Sequence, residues 1–181
     1  VDGKLDHSLG CSGLDISANP DTVRVGRLAN DTWYFSGYME ELRVTKGTGR
    51  YTSNFTSTLP AGPYGQTYLQ NKLNPADSAW DSVTFLLNGT DNVGQDNITG
   101  TTGTITSGTA DKWGGTNAYN FNGSSWWTTD LTLPSDYWTI EGWFKPKATT
   151  QSQYVVCPYP ANQANLRAGL IGFNGTDMRW L

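Results

Sequence analysis

No window of this chain long enough for an α-helix escapes interruption by glycine, threonine, asparagine or serine, and the residues between the interruptions are β-branched or aromatic. Glycine and the β-branched residues weaken a helix, whereas valine, isoleucine, threonine and the aromatics suit a pleated, half-buried surface. The chain is therefore expected to be all-β. Gly, Thr, Asn and Ser together make up 72 of the 181 residues, and charged residues only 15%, against the ~25% of an ordinary soluble domain. Hydroxyls and amides must then build the polar surface. The 23 aromatic residues, eight of them Trp, argue against disorder, because disordered chains lack large apolar groups.

The same arithmetic excludes several functions. A formal charge of −4 offers phosphates no cationic field, so a nucleic-acid partner is not expected. One histidine, His7, leaves no room for a histidine-based zinc site and makes a Ser–His triad improbable. No apolar run approaches the ~18 residues of a membrane span, so membrane insertion is not expected. Cys11 and Cys157 can form one bridge or stay as buried thiols, and their spacing does not decide. With no initiating Met and no signal segment, Val1 reads as the start of an excerpt or of a processed or trimmed chain.

Alternation locates short strands. Val23 and Val25 share one face of Thr22–Gly26, with Arg24 opposite. In Gly37–Thr45, Leu42 and Val44 share a face, but Met39 is out of phase with them, which predicts a β-bulge or a strand start at Glu40-Glu41. Val83–Leu87 is apolar on both sides, as in an interior sandwich strand. Tyr119 and Phe121 alternate with Asn120 and Asn122. Within Tyr137–Lys145, Trp138, Ile140 and Phe144 oppose Thr139, Glu141 and Trp143. Leu170–Phe173 and Met178–Leu181 flank Asn174-Gly175, a hairpin signal, and Asn88-Gly89 and Asn122-Gly123 mark further turns. The Thr-, Gly- and Asn-rich block Asp91–Asp111 is expected to be a wandering, partly paired loop. Pro60, Pro63 and Pro75, with Gly62 and Gly65, make residues 59–79 a linker or a surface strap. The chain thus divides into 1–58, 59–79 and 80–181.

Two of these stretches resemble a known module. The run from Gly37 through Met39-Glu40-Glu41-Leu42-Arg43-Val44-Thr45-Lys46-Gly47, followed by Arg50-Tyr51-Thr52 and Asn54-Phe55-Thr56, resembles the closing strand of concanavalin A-like, laminin-G-like jelly rolls. The form is the one common in phage tail and virion proteins and in bacterial surface proteins. Trp80–Asp91, Trp113-Gly114-Gly115 with Ala118–Gly123, and Trp138–Pro146 resemble the opening half of the same module. The resemblance implies an antiparallel β-sandwich of jelly-roll type, with 1–58 as a closing part and 80–181 as the opening part of a second module. The order departs from the family, because the closing half comes first. Either the chain is a window across the junction of two tandem modules, or it is a permuted unit. In the first case residues 1–57 pack on material outside the 75–181 block, and in the second both blocks share one core.

The resemblance further implies a structural and adhesion module of a viral or extracellular appendage, located on a virion or cell surface. Its partners would be copies of itself or adjacent modules of one fibre or polyprotein, and cell-surface glycans. A purely structural spacer is the alternative. Exposed aromatic rings over a polar sheet can stack on sugar C–H faces. Trp126 and Trp127 are the first candidates, one facing inward and the other outward since neighbours in a strand alternate; Trp33 and Tyr34 follow. Trp113, Trp138 and Trp143 are expected in the core. Calcium is the family's common ion, and Asp91, Asn92 and Asp96, with Asp111 outside them, form the candidate oxygen cluster. Glycosidase chemistry needs two carboxylates facing each other across a cleft. The three glutamates present, Glu40, Glu41 and Glu141, are expected at ordinary strand-edge positions, with Glu141 alone, so no catalytic residue and no enzyme activity are expected. Six Asn-x-Ser/Thr sites begin at Asn30, Asn54, Asn88, Asn97, Asn122 and Asn174, open to modification if the source glycosylates.

Overall fold

A computed structural model of the chain describes residues 23–28, 33–50, 79–87, 92–94, 97–108, 118–133, 137–147, 152–157, 171–174 and 177–180. These form twelve strands: β1 Arg24–Val25, β2 Ser36–Lys46, β3 Val83–Leu87, β4 Asn92–Gly94, β5 Ile98–Thr102, β6 Ile105–Gly108, β7 Ala118–Asn122, β8 Trp126–Thr129, β9 Trp138–Pro146, β10 Ser152–Cys157, β11 Ile171–Asn174 and β12 Asp177–Trp180. The helical content among the described residues is one 3-10 turn, Trp80–Ser82. Every strand pair is antiparallel. The first sheet runs β12-β11-β10-β1-β8-β5; the second runs β4-β3-β2-β7-β6, with β9 also on β2. The two pack face to face as a β-sandwich.

The second sheet is organised by β2. β7 pairs with Ser36–Met39 and β3 with Leu42–Thr45, while β9 runs along Gly37–Lys46. Met39, Leu42 and Val44 are all buried in the core, a spacing that plain alternation cannot satisfy. The strand resolves the conflict where the sequence predicts it. The pairing with β9 slips between Glu40 and Arg43, and Glu41 takes a left-handed φ of 54°. That bulge restores the phase, so both apolar groups face inward.

The core joins residues from both sides of 59–79. Val23, Val25, Phe35, Met39, Leu42 and Val44 pack in one cluster with Phe85, Leu87, Phe121, Trp127, Ile140, Val156 and Phe173. Phe35 meets Phe121 edge-on with centroids 5.8 Å apart. Leu42 and Val44 are therefore covered within the chain, by a core that both blocks share. Of the remaining expected core residues, Trp138 packs against the cluster. Trp143 does not join it: it is half-buried at the position opposite Glu40, on the other phase of β9. Trp113 lies outside the described residues, as do Phe55 and Cys11.

Within the block 91–111, where the sequence suggests a partly paired loop, the described residues form three paired strands, β4, β5 and β6. β5 pairs with β8 in the first sheet and β6 with β7 in the second, so 98–108 and 118–129 form one antiparallel ladder folded over the edge of the sandwich. Its isoleucines and threonines suit strands, and a partner strand supplies the pairing that composition alone could not reveal. The fold line crosses Gly103 (φ 71°) and Gly123 (φ 85°), conformations in which other residues are strained. Ser125, fully buried at this corner, sits within 3.0 Å of where a Gly103 Cβ would stand.

Gly26 is equally constrained. Its φ is 96°, and a Cβ there would lie 2.7 Å from the Phe121 ring. Gly26→Ala combines left-handed strain with a clash in a filled core, so it is expected to destabilise by about 2–4 kcal/mol. A urea unfolding midpoint matching the parent chain would contradict this account of the β1 turn.

Candidate functional site

The Trp126-Trp127 pair separates as alternation requires. Trp127 is 5% exposed and lies edge-on against Phe121 at 4.9 Å and Tyr119 at 4.8 Å. Trp126 faces the opposite way, half-buried on the outer face of the first sheet. There it meets two residues from the turn between β1 and β2. The Arg27 guanidinium carbon lies 4.1 Å from the Trp126 ring centroid, and the Tyr34 ring is 5.7 Å away at a 40° tilt.

Gly26 explains how Arg27 reaches this position. Val25 faces the core, and the Cβ direction of Gly26 also points inward, at Phe121. The left-handed residue thus resets the phase, and Arg27 emerges on the outer face across from Tyr34, with which it forms an isolated β-bridge. Phe35 N donates to Gly26 O at 2.8 Å and Leu28 N to Trp33 O at 2.9 Å, closing the turn. Arg27 is 93% buried by this packing, at 7% exposure. Desolvation first, and then the nearby Arg24 charge, hold its pKa below the ordinary arginine value, against opposing effects of Tyr34 and Cys157. Contact with an indole face compensates part of that desolvation.

Trp33 goes to a different group. Its ring stacks on Tyr154 at 5.3 Å and 5°, in a small apolar cluster with Leu28 and Cys157. The four candidate aromatics therefore occupy three environments: Trp126 with Tyr34 on the outer face, Trp33 on Tyr154, and Trp127 in the core. Of the candidate calcium ligands, Asp91, Asp96 and Asp111 lie outside the described residues, as does the side chain of Asn92, whose backbone begins β4. Among the described residues, no cluster of His, Cys, Asp and Glu side chains could hold a metal ion.

A second polar site went unanticipated. Arg43 Nε donates to Glu141 Oε1 at 2.5 Å across the β2–β9 pair, with side chains 4% and 15% exposed. Arg50 Nε lies 3.5 Å from the same carboxylate oxygen and donates to Thr45 Oγ1 at 2.6 Å. The Arg50 backbone N donates to Thr139 Oγ1, and its Nη2 to Ala79 O. Glu40 and Glu41 are also buried on β2, at 3% and 1% exposure. The expectation of strand-edge positions is thus corrected for Glu40 and Glu41, and the expectation that Glu141 stands alone is corrected for Glu141. Glu40 and Glu41 belong to the central strand of the second sheet, and Glu141 is bridged by two arginines rather than alone. Alternation puts Arg43 and Glu141 on one phase of their strands, but only the pairing of strands far apart in sequence brings them together.

No family model, curated protein or solved structure matches the chain.

Proposed function

We propose that this chain is a structural and adhesion module of a viral or extracellular appendage, such as a fibre, tail or filament, built as a jelly roll of the concanavalin A-like, laminin-G-like kind. The antiparallel sandwich is compatible with such a module, and the single core shared by the two motif-bearing stretches favours a permuted unit over a module junction. Carbohydrate contact is assigned to the outer face of the first sheet. The observation that carries this is the orientation of Trp126, which is turned away from the core beside Tyr34 while Trp127 takes the buried position. An aromatic pair with adjacent hydroxyls, such as Thr128 of β8, offers both the apolar face and the hydrogen-bonding groups that a sugar ring uses. On a glycan array the chain is expected to retain a restricted set of cell-surface glycans. Trp126→Ala should weaken the best of them at least tenfold, about 1.4 kcal/mol, with the fold intact by circular dichroism. Retention unchanged by Trp126→Ala would remove this face from the reading.

A purely structural spacer is the second reading, and one observation favours it. Arg27 already lies against the Trp126 ring, 4.1 Å from its centroid, so the indole is engaged within the chain. An array with no retained glycan would leave this second reading standing.

A further inference from the structure

We propose that the outer face of the second sheet, around Tyr38, binds an anionic sugar, one that carries a carboxylate or sulfate group. The site lies on the other sheet from Trp126 and does not rest on the reading of that face.

Four strands distant in sequence bring it together. Met39, Ile105, Phe121 and Phe144 belong to the core or pack against it, so their neighbours Tyr38, Thr106, Asn120 and Lys145 take the opposite face. Register sets these four in one row. Lys145 of β9 and Asn120 of β7 flank Tyr38 of β2, and Thr106 of β6 stands beyond Asn120. Lys147 follows β9, where its backbone N donates to Ser36 O at 2.9 Å. Its ammonium lies over the Tyr38 ring, 5.6 Å from the centroid, and donates to Asn120 Oδ1 at 3.3 Å. Asn120 Nδ2 in turn donates to Thr106 Oγ1 at 3.4 Å. Tyr38 and Asn120 are half-buried, whereas Thr106, Lys145 and Lys147 are exposed.

Each part of this row matches one part of an anionic sugar. Neither lysine pairs with a carboxylate among the described residues. An arriving anion can therefore form charge-assisted hydrogen bonds without first breaking an ion pair. The formal charge of −4 on the whole chain opposes this little, because exposed charges beyond ~8 Å are largely screened at physiological salt. The Tyr38 ring supplies an apolar face with a hydroxyl at its edge. That ring is laid against the sheet: a Cβ on Gly108 would stand 2.6 Å from Tyr38 Cε1, so the glycine makes room for it. Asn120 and Thr106 supply an amide and a hydroxyl for sugar hydroxyls, and their mutual hydrogen bond orients the amide in advance. An inorganic anion would use the lysines alone, and a neutral sugar only the rest. The whole row suits a ligand with both.

Amide NMR shifts of the isotope-labelled whole chain, titrated at low salt, test this with methyl glucuronide, sulfated glucose, methyl glucoside and sodium sulfate. Saturable shifts are expected at Tyr38, Thr106, Asn120 and Lys145 with one or both anionic sugars, and the tighter of the two identifies the anion. The glucoside and inorganic sulfate are each expected to bind about tenfold more weakly, as the loss of a charge-assisted contact or of the ring contacts requires. Lys145→Gln with Lys147→Gln should weaken the anionic sugar about tenfold or more, and added salt should weaken it in the parent. Gly108→Ala, which displaces the Tyr38 ring without altering charge, should weaken it several-fold, with melting temperatures near the parent's excluding unfolding as the cause. Trp126→Ala should leave the titration unchanged. Inorganic sulfate bound as tightly as the sugars overturns the proposal, and so does a glucoside equal to the glucuronide. Shifts confined to the Trp126 face overturn it too, while supporting the functional reading above. With no shift from any probe the proposal falls, and the Trp126 reading still stands or falls on its own array test.

Discussion

Glu141→Ala is expected to lower folding stability by about 3–5 kcal/mol, the range for removing one partner of a buried ion pair. The size of the effect comes from what remains. The Arg43 side chain is 4% exposed, so its guanidinium would stay in the protein interior without the carboxylate it now contacts, and Arg50 would lose the same oxygen. For a chain of this size the loss corresponds to a melting temperature lower by about 6–20 °C. Replacing both partners with apolar side chains, Arg43→Met with Glu141→Leu, should recover part of that loss, because the Arg43 charge goes with the carboxylate, whereas Arg50 still loses the Glu141 oxygen. Calorimetry and urea titration of the two variants check the pair of statements. If Glu141→Ala stays within about 1 kcal/mol of the parent, as exposed pairs do, the site is solvated in solution.

Trp127→Ala is expected to cost about 3–5 kcal/mol, as large aromatic truncations in filled cores do. The ring packs edge-on against Phe121 and Tyr119 of the facing sheet, and its removal leaves a cavity between the two sheets. Trp126→Ala should cost clearly less, since its half-buried ring is held by Arg27 and Tyr34 rather than by the core. Equal losses for the two variants would contradict the assignment of opposite faces and the outer-face site that depends on it.

What the sequence made legible was local. The out-of-phase Met39 signalled the bulge found at Glu40-Glu41, and adjacency alone separated Trp126 from Trp127. Asn174-Gly175 marked the connection between β11 and β12, which pair from Asn174 opposite Asp177 to Ile171 opposite Trp180. What stayed hidden depended on long-range pairing. Asn122-Gly123 was a sound turn signal, yet β7 and β8 do not pair with each other; the turn passes the chain from one sheet to the other. Glu141 looked isolated because Arg43 lies on a distant strand, and the threonine-rich block looked irregular because its partner strands, β7 and β8, lie further along the chain. Periodicity reports which face a residue takes. It carries no information on which strand stands beside it.

The ladder folded over the sandwich edge bears on how the chain finds this structure. Gly108 stands opposite Ala118, and Ile98 opposite Thr129, so one local excursion of the chain sets strands of both sheets in register. The union of β2 with β9, from Gly37 opposite Pro146 to Lys46 opposite Trp138, must instead close a far longer stretch of backbone, at a greater entropic cost. Local contacts of this kind form fast, whereas distant pairings set the rate in all-β proteins. The bent ladder can therefore precede the rest as a seed that already fixes the angle between the sheets, leaving β2 to dock onto a template whose corner is in place.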